Sequence, residues 1–340
     1  MGGDAPEIRY CPIVPGRASI ISPVRGRRPK ILSVSEAQAV RGGLCPFCPG
    51  NEFMTPPATL ILRRIEGKLV YDWEQETERF TDWVVRIIPN EYPALTRVGG
   101  GERHAYGYHE VIVENPGHDA QPPVAPVNEL ALTFEATFKR IREILATDPR
   151  IRYVIVIRNY GARGGASIPH PHMQLLASEA PMPLIDEELR AFEEAKLRGR
   201  ECPLCAEVRR AEEEGRVVFE EEGYVAFTAW APRQPYEVWL APKEHVNTPL
   251  NMGRDELRGF AKAFKKLATV VRDGLGDPAY NLWIHMPPRH ALGSKVFHWH
   301  VELTPVIATW GGIEKGGNVF IVPVPPEQAA KELRGRLNAP

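Results

Sequence analysis

The strongest constraint on this chain is an internal repeat of metal-ligand residue types. Cys45-Pro46-Phe47-Cys48 returns as Cys202-Pro203-Leu204-Cys205. A single histidine follows the second strand-like run of each half, His118 and then His245. A His-x-His follows each long helical run, His170/His172 and then His298/His300. His118 and His170 lie 52 residues apart, and His245 and His298 lie 53 apart. Agreement to one residue across a strand, a helix and a strand requires two halves that fold alike.

The hydrophobic pattern fills in those halves. Apolar or alternating runs at 58–63, 83–88 and 109–113 predict strands. Leu130, Phe134, Phe138, Ile141 and Leu145 recur every three or four residues, predicting one face of a helix over 128–146. Pro149 stands where such a helix stops. Strands are predicted at 153–157 and 173–177. The second half repeats the order: strands at 225–228 and 237–241, a helical face of Leu257, Phe260, Phe264, Leu267 and Val271, then strands at 281–284 and 297–303. A final short helix starts near Pro326. The predicted class is α+β. It consists of two similar modules, residues 1–180 and 195–340, each an antiparallel sheet with a long helix packed on it. Residues 181–199 form a surface helix between them.

The chain has 340 residues with a formal net charge of −1, which gives no long-range attraction for a polyanion. Nucleic acid and anionic membrane are therefore not expected partners. No apolar run is long enough to span a bilayer. The first ten residues do not read as a secretory signal, and Gly2 is followed at position 6 by Pro where acylation wants Ser or Thr. A cytoplasmic location is expected.

Five cysteines, an odd number, argue against a disulfide framework. In a reducing compartment, paired cysteines with histidines elsewhere favour metal. Structural zinc takes four nitrogen or sulfur ligands. The proposed first set is Cys45, Cys48, His118 and His170, and the repeat gives Cys202, Cys205, His245 and His298 as the second. The plainer alternatives are redox dithiols, for which no thioredoxin-like context exists, and loop histidines at 118 and 245. Cys11 reads as a small buried hydrophobe.

His170-Pro171-His172 puts two imidazoles on one side of an extended segment, which Pro171 stiffens. One ring can be held by metal while the other faces a cleft. A neutral imidazole attacks phosphorus and leaves well when protonated. Three glycines in five residues, Gly161, Gly164 and Gly165, stand just before it and let backbone N–H groups approach phosphate oxygens. Arg163 and Ser167 would add charge and a hydroxyl there. A zinc-ribbon binding module would give His172 no role. A nucleotide hydrolase would use the same histidine but pass the intermediate to water.

The run Asn159…Ser167…His170-Pro171-His172-x-Gln174 resembles the signature of galactose-1-phosphate uridylyltransferases, a branch of the histidine-triad superfamily. Ile21 to Pro29 (Ser-Pro-Val-Arg-Gly-Arg-Arg-Pro after Ile21), Asn90-Glu91-Tyr92-Pro93-Ala94-Leu95, Gly312-Ile313-Glu314 and Pro326 to Ala330 resemble further segments of that family. The resemblance implies two histidine-triad-like modules and a ping-pong reaction. His172 would take UMP from UDP-glucose, releasing glucose 1-phosphate, and galactose 1-phosphate would collect it. Gln174 would hydrogen-bond the phosphoryl oxygens, and Ser167 and Asn159 the phosphates. Arg28 and Asn90 would lie near the nucleotide, Glu314 at the sugar. His170 would be a zinc ligand, and the assembly a homodimer.

Two features depart from the uridylyltransferase pattern. Some members hold iron at the second site through a glutamate and three histidines. His285, His298 and His300 with a glutamate from 187–194 would match that set. Others, including plant ADP-glucose phosphorylases, use Cys-x-x-Cys and two histidines, which Cys202/Cys205 favours. His285 and His300 would then be free, and His300 would contact substrate. The family's C-terminal glutamine has no counterpart around Gly317-Asn318-Val319-Phe320. An ADP-sugar or dinucleotide phosphorylase is the alternative activity.

Overall fold

The computed structural model describes residues 5–27, 44–98 and 104–337. Arg28, expected beside the nucleotide, lies outside the described residues. The strands are β1 (Glu7–Tyr10), β2 (Ala18–Ile21), β3 (Leu60–Ile65), β4 (Lys68–Asp72), β5 (Trp83–Pro89), β6 (Gly107–Val113), β7 (Tyr153–Tyr160) and β8 (His172–Ser178). In the second half come β9 (Val217–Glu221), β10 (Tyr224–Thr228), β11 (Val238–Pro242), β12 (Tyr280–His285), β13 (His300–Pro305) and β14 (Val319–Val322). The helices are α1 (Val127–Thr147), α2 (Pro183–Leu197), α3 (Pro203–Glu213), α4 (Arg254–Leu275), α5 (Gly312–Gly317) and α6 (Pro326–Leu337).

Eleven strands form one antiparallel sheet in the order β4-β3-β5-β6-β8-β7-β12-β13-β11-β10-β9. The repeat is visible in that order: β5-β6-β8-β7 is mirrored by β12-β13-β11-β10. The two halves meet through β7 and β12, paired from Tyr160↔Tyr280 to Val156↔Ile284. Each half thus caps the sheet edge that the other would otherwise leave open to foreign strands.

The helical stripes read from the sequence are the buried ones. Leu130, Phe134, Phe138 and Ile141 of α1 and Leu257, Phe260, Phe264, Leu267 and Val271 of α4 are buried. They face each other as well as the sheet, with the Phe134 ring 4.5 Å from that of Phe260 and 5.0 Å from that of Phe264. One apolar cluster runs from Leu60 to Leu333 through both halves. The linking helix α2 does more than cover a surface: Ile185, Glu188, Leu189 and Phe192 are buried. The N-terminal residues also cross over. β2 pairs in parallel with β14, and Cys11, Ile13 and Val14 pack with Phe192, Leu204 and Phe297 of the second half. That small sheet, β1-β2-β14, has strands of only four residues and, like β4 and β9 at the two ends of the large sheet, matches none of the predicted strands.

Candidate functional site

One turn and two loops build each metal cradle. The Cys48 N–H donates to the Cys45 carbonyl, so one turn presents both thiols. At the start of α3 the Ala206 N–H donates to the Cys202 carbonyl, and the first helical turn presents Cys202 and Cys205. In the first set the His170 Nδ1 lies 3.8 Å from Cys45 Sγ and 3.6 Å from Cys48 Sγ, and His118 Nδ1 lies 3.4 Å from Cys48 Sγ. In the second, His298 Nδ1 lies 3.8 and 3.4 Å from the two sulfurs, and His245 Nδ1 lies 3.7 Å from Cys205 Sγ. Zinc bonds of about 2.3 Å to sulfur and 2.0–2.1 Å to nitrogen, at a tetrahedral angle, place S and N roughly 3.6 Å apart. The separations fit that figure. The outer nitrogens fit too: His170 Nε2 is 2.8 Å from the Asn115 carbonyl and His298 Nε2 is 3.1 Å from the Pro242 carbonyl. Each Nε2–H donates there, which leaves the Nδ1 lone pairs facing the sulfurs. Both predicted ligand sets are brought together.

His172 opens β8, and the cradle positions it. Phe47, between the first two cysteines, meets the rings of His170 and His172 edge-on at 6.1 and 5.5 Å. His172 Nδ1–H donates to the His170 carbonyl at 2.8 Å. Nε2 therefore carries the lone pair. Burial, with the nearby Arg158 charge adding to it, pushes the His172 pKa down to about 4. At neutral pH the ring is uncharged, as a nucleophile must be.

A cavity of about 180 Å³ lies against this ring, lined by Asp119, Gln121, Arg158 to Ala162 and Ala166 to His170. The loop of Gly161, Gly164 and Gly165 bounds it. Gly161 and Gly165 take positive φ values of 73° and 88°. Gly164 is needed for closeness: a Cβ there would sit 2.7 Å from the Tyr280 carbonyl oxygen. Asn159 and Ser167, both expected at the phosphates, line the cavity. Arg163 and Gly165 do not belong to its wall, and Arg163 is exposed on the loop. Gln174 follows His172 by two residues on β8 and shares its face. Glu314 accepts hydrogen bonds from Gly311 N (2.8 Å) and Ile321 N (3.4 Å) at the start of α5, outside this cavity's wall. Asn90 accepts from Tyr92 N at 2.9 Å beside β6.

Several residues here carry no local sequence signal. Asn281, on β12, donates to Asn159 Oδ1 at 2.8 Å and to the Gly164 carbonyl at 2.6 Å. With its oxygen so occupied, Asn159 offers N–H to the cavity. Arg158 is buried and bonds Glu114, Gln121 and, at 3.0 Å, the Tyr280 hydroxyl. These arginine and asparagine contacts come from strands that only sheet pairing brings together.

The second His-x-His has become something else. His300 stands in the sheet where His172 stands, with Glu302 in place of Gln174, and its Nδ1 likewise lies 3.1 Å from the His298 carbonyl. Yet His300 is fully buried and takes no part in the wall of the cavity beside His172. The helix α2 covers it, and His285 and His300 are not free. Glu188 Oε1 lies 2.8 Å from His285 Nδ1, and Glu302 Oε1 lies 3.6 Å from His300 Nε2. Arg233 bonds both Glu237 and Glu302. Although burial opposes it, Glu302 and Glu188 raise the His300 pKa, where His172 is depressed. The alternative iron set is divided: His298 faces the cysteines, while Glu188, His285 and His300 cluster with Glu302.

Comparison with known proteins agrees with this geometry. A domain-of-unknown-function family model (DUF4921) matches residues 124–339. The chain is 29% identical to the ADP-glucose phosphorylase of Arabidopsis thaliana over 97% of this chain and 93% of that protein. The crystal structure of an ADP-glucose phosphorylase from that plant with bound ADP-glucose superposes with a TM-score of 0.80 at 28% identity, covering 97% of this chain and 98% of that one. The galactose-1-phosphate uridylyltransferase of Thermotoga maritima is 32% identical over 96% of this chain and 98% of its own length. With its paired modules and with His172 in the wall of that cavity, the chain belongs to the galactose-1-phosphate uridylyltransferase family of nucleotidyltransferases.

Proposed function

We propose that this chain moves a nucleoside monophosphate from a nucleoside diphosphoglucose to a second phosphate through a nucleotidyl group on His172. The first reading takes UDP-glucose as donor and galactose 1-phosphate as acceptor. The observation that carries it is the His172 ring in the wall of the glycine-loop cavity, with Nδ1 bonded to a backbone carbonyl and Nε2 left to attack.

In the first step Nε2 bonds to the α-phosphorus and the bond to the bridging oxygen breaks. Glucose 1-phosphate leaves with that electron pair. The ring becomes a nucleotidyl-imidazolium whose Nδ1–H already meets the His170 carbonyl. In the second step an acceptor phosphate oxygen displaces Nε2. Donors aimed at the equatorial oxygens stabilise both steps. Asn159, Ser167, Gln174 and the loop N–H groups near Gly161 supply them. Cys45, Cys48, His118 and His170 would hold zinc, as would Cys202, Cys205, His245 and His298. An ion held by the first set would fix His170, and through it the His172 ring, as a structural support. The free-thiol ligand sets suit a cytoplasmic location, and a homodimer is the assembly the family suggests.

A second reading, ADP-glucose with inorganic phosphate as acceptor, rests on two particulars. The second cradle is Cys/Cys/His/His. Asn318, in the left-handed region at φ 51°, and its neighbours stand where the uridylyltransferases carry a glutamine. Incubation with radiolabelled UDP-glucose or ADP-glucose and no acceptor separates the readings. An acid-labile label from one donor names that donor. Turnover to the free monophosphate without label indicates hydrolysis. Neither label nor turnover with either donor would falsify the transferase reading.

A further inference from the structure

We infer that His109, on β6, is a positioning residue that holds the Gln174 side-chain amide with its NH2 group turned towards the reacting phosphorus. The inference rests on the nucleotidyl-transfer reading of His172, and its geometry stands apart from that reading.

The Ala94 backbone N–H donates to His109 Nδ1 at 3.0 Å. A backbone N–H cannot accept, so Nδ1 carries a lone pair and no proton. A neutral imidazole in that state has its proton on Nε2. An imidazolium would set two N–H groups against each other at 3.0 Å. The Gln174 side-chain oxygen lies 2.7 Å from Nε2. Nε2–H therefore donates to Gln174 Oε1, which settles the orientation of an amide that could otherwise flip.

Asn90 does not compete for that proton. Its Nδ2 lies 3.2 Å from the same ring nitrogen, but its own oxygen accepts from Tyr92 N at 2.9 Å. It cannot accept there, and its N–H bonds must point past the protonated ring nitrogen, which leaves Gln174 Oε1, the shorter contact, as the acceptor of the Nε2 proton. The Asn90 to Leu95 segment thus acts on the site through the Ala94 N–H as well as through its side chains.

The register aims the result. Val113 pairs with His172, Val111 with Gln174 and His109 with Leu176. Residues two apart share a face, so His109, Gln174 and His172 lie on one side of the sheet. With Oε1 occupied, the Gln174 amide nitrogen has no hydrogen-bond partner among the described residues. An anionic phosphoryl oxygen beside His172 Nε2 is the acceptor it lacks. A flipped amide would present C=O to that anion instead.

The test uses two nearly isosteric replacements of opposite polarity. His109→Gln can donate to Gln174 Oε1. His109→Glu can only accept, and would turn the Gln174 amide round. In single-turnover formation of nucleotidyl-His172, with radiolabelled UDP-glucose and ADP-glucose, the Gln variant should stay within about 10-fold of the unchanged protein. The Glu variant should be slower by about 10²-fold, the scale of one oriented donor, with little change in half-saturating donor. In a Gln174→Ala background the Glu replacement should cost nothing more. Equal rates for the Gln and Glu variants, or an undiminished loss in that background, would overturn the inference. Nitrogen-15 NMR of the unreacted protein gives a second reading that needs no turnover: His109 should be the Nε2–H tautomer, and an Nδ1–H tautomer would overturn it. If the unchanged protein forms no nucleotidyl-histidine with either donor, the transfer reading falls, and the tautomer still decides the orientation of Gln174.

Discussion

Two histidines in matching sheet positions have opposite chemistry because of a few neighbours. His172 is buried beside Arg158 and is driven neutral, whereas His300 faces Glu302 and Glu188 and is driven towards its cation. Only the first can attack phosphorus. His172→Ala should lower nucleotidyl transfer by at least about 10³-fold. It should leave the zinc content and Tm unchanged, because the ring is not a ligand. Loss of one zinc in that variant would reverse the roles of His170 and His172. Asn281→Ala frees the Asn159 amide to rotate, and single-turnover transfer should slow by roughly 10-fold. An unchanged rate would show that Asn159 is oriented by something else. The placement of Cys45, Cys48, His170, His172 and Gln174 was legible in the sequence because it rests on spacing within one loop or strand. His109, Arg158 and Asn281 were not, because each acts across a strand pairing.

At the scale of elements, the segment between β7 and β8 shows why glycines recur there for different reasons. Gly164 has no room for a side chain, since a Cβ would meet the Tyr280 carbonyl oxygen at 2.7 Å. Gly165 has room, with its nearest neighbour Asn159 Nδ2 at 3.7 Å, but takes a φ of +88°. Gly164→Ala must push the loop from β12 and should destabilise by about 1–3 kcal/mol. Gly165→Ala meets only backbone strain, about 1 kcal/mol. Denaturant unfolding of the two variants checks the order, and a larger loss at Gly165 would contradict it. The strands and long helices fell where the periodicity put them because each half buries a continuous stripe. β1, β2 and β14 went unseen because four-residue strands carry too little pattern, and β4 and β9 because they are short edge strands with little buried surface to pattern.

At the scale of the molecule, the two halves share one sheet and one core, so they should melt together. Phe134 packs on Phe260 and Phe264 of the other half. Phe134→Ala should cost about 3–5 kcal/mol and shift a single calorimetric transition. Two separated transitions would show the halves to be independent. Emission spectroscopy should find two zinc ions per chain. Cys45→Ala and Cys202→Ala should each remove one and lower that same Tm, since binding to a closed site adds to folding free energy. A Tm unmoved by either change would count against structural zinc.

By itself the sequence determined the repeat and the two Cys/Cys/His/His sets, and it singled out His172 over His300 as the proposed nucleophile. All of these are matters of residue type and short spacing. The tertiary structure decided what surrounds them. Pairing of β7 with β12 brought Asn281 to Asn159, and closure of α2 over the second His-x-His put Glu188 against His285 and buried His300. Neither follows from spacing along the chain, because contacts between distant segments are selected by how their apolar faces can be buried together.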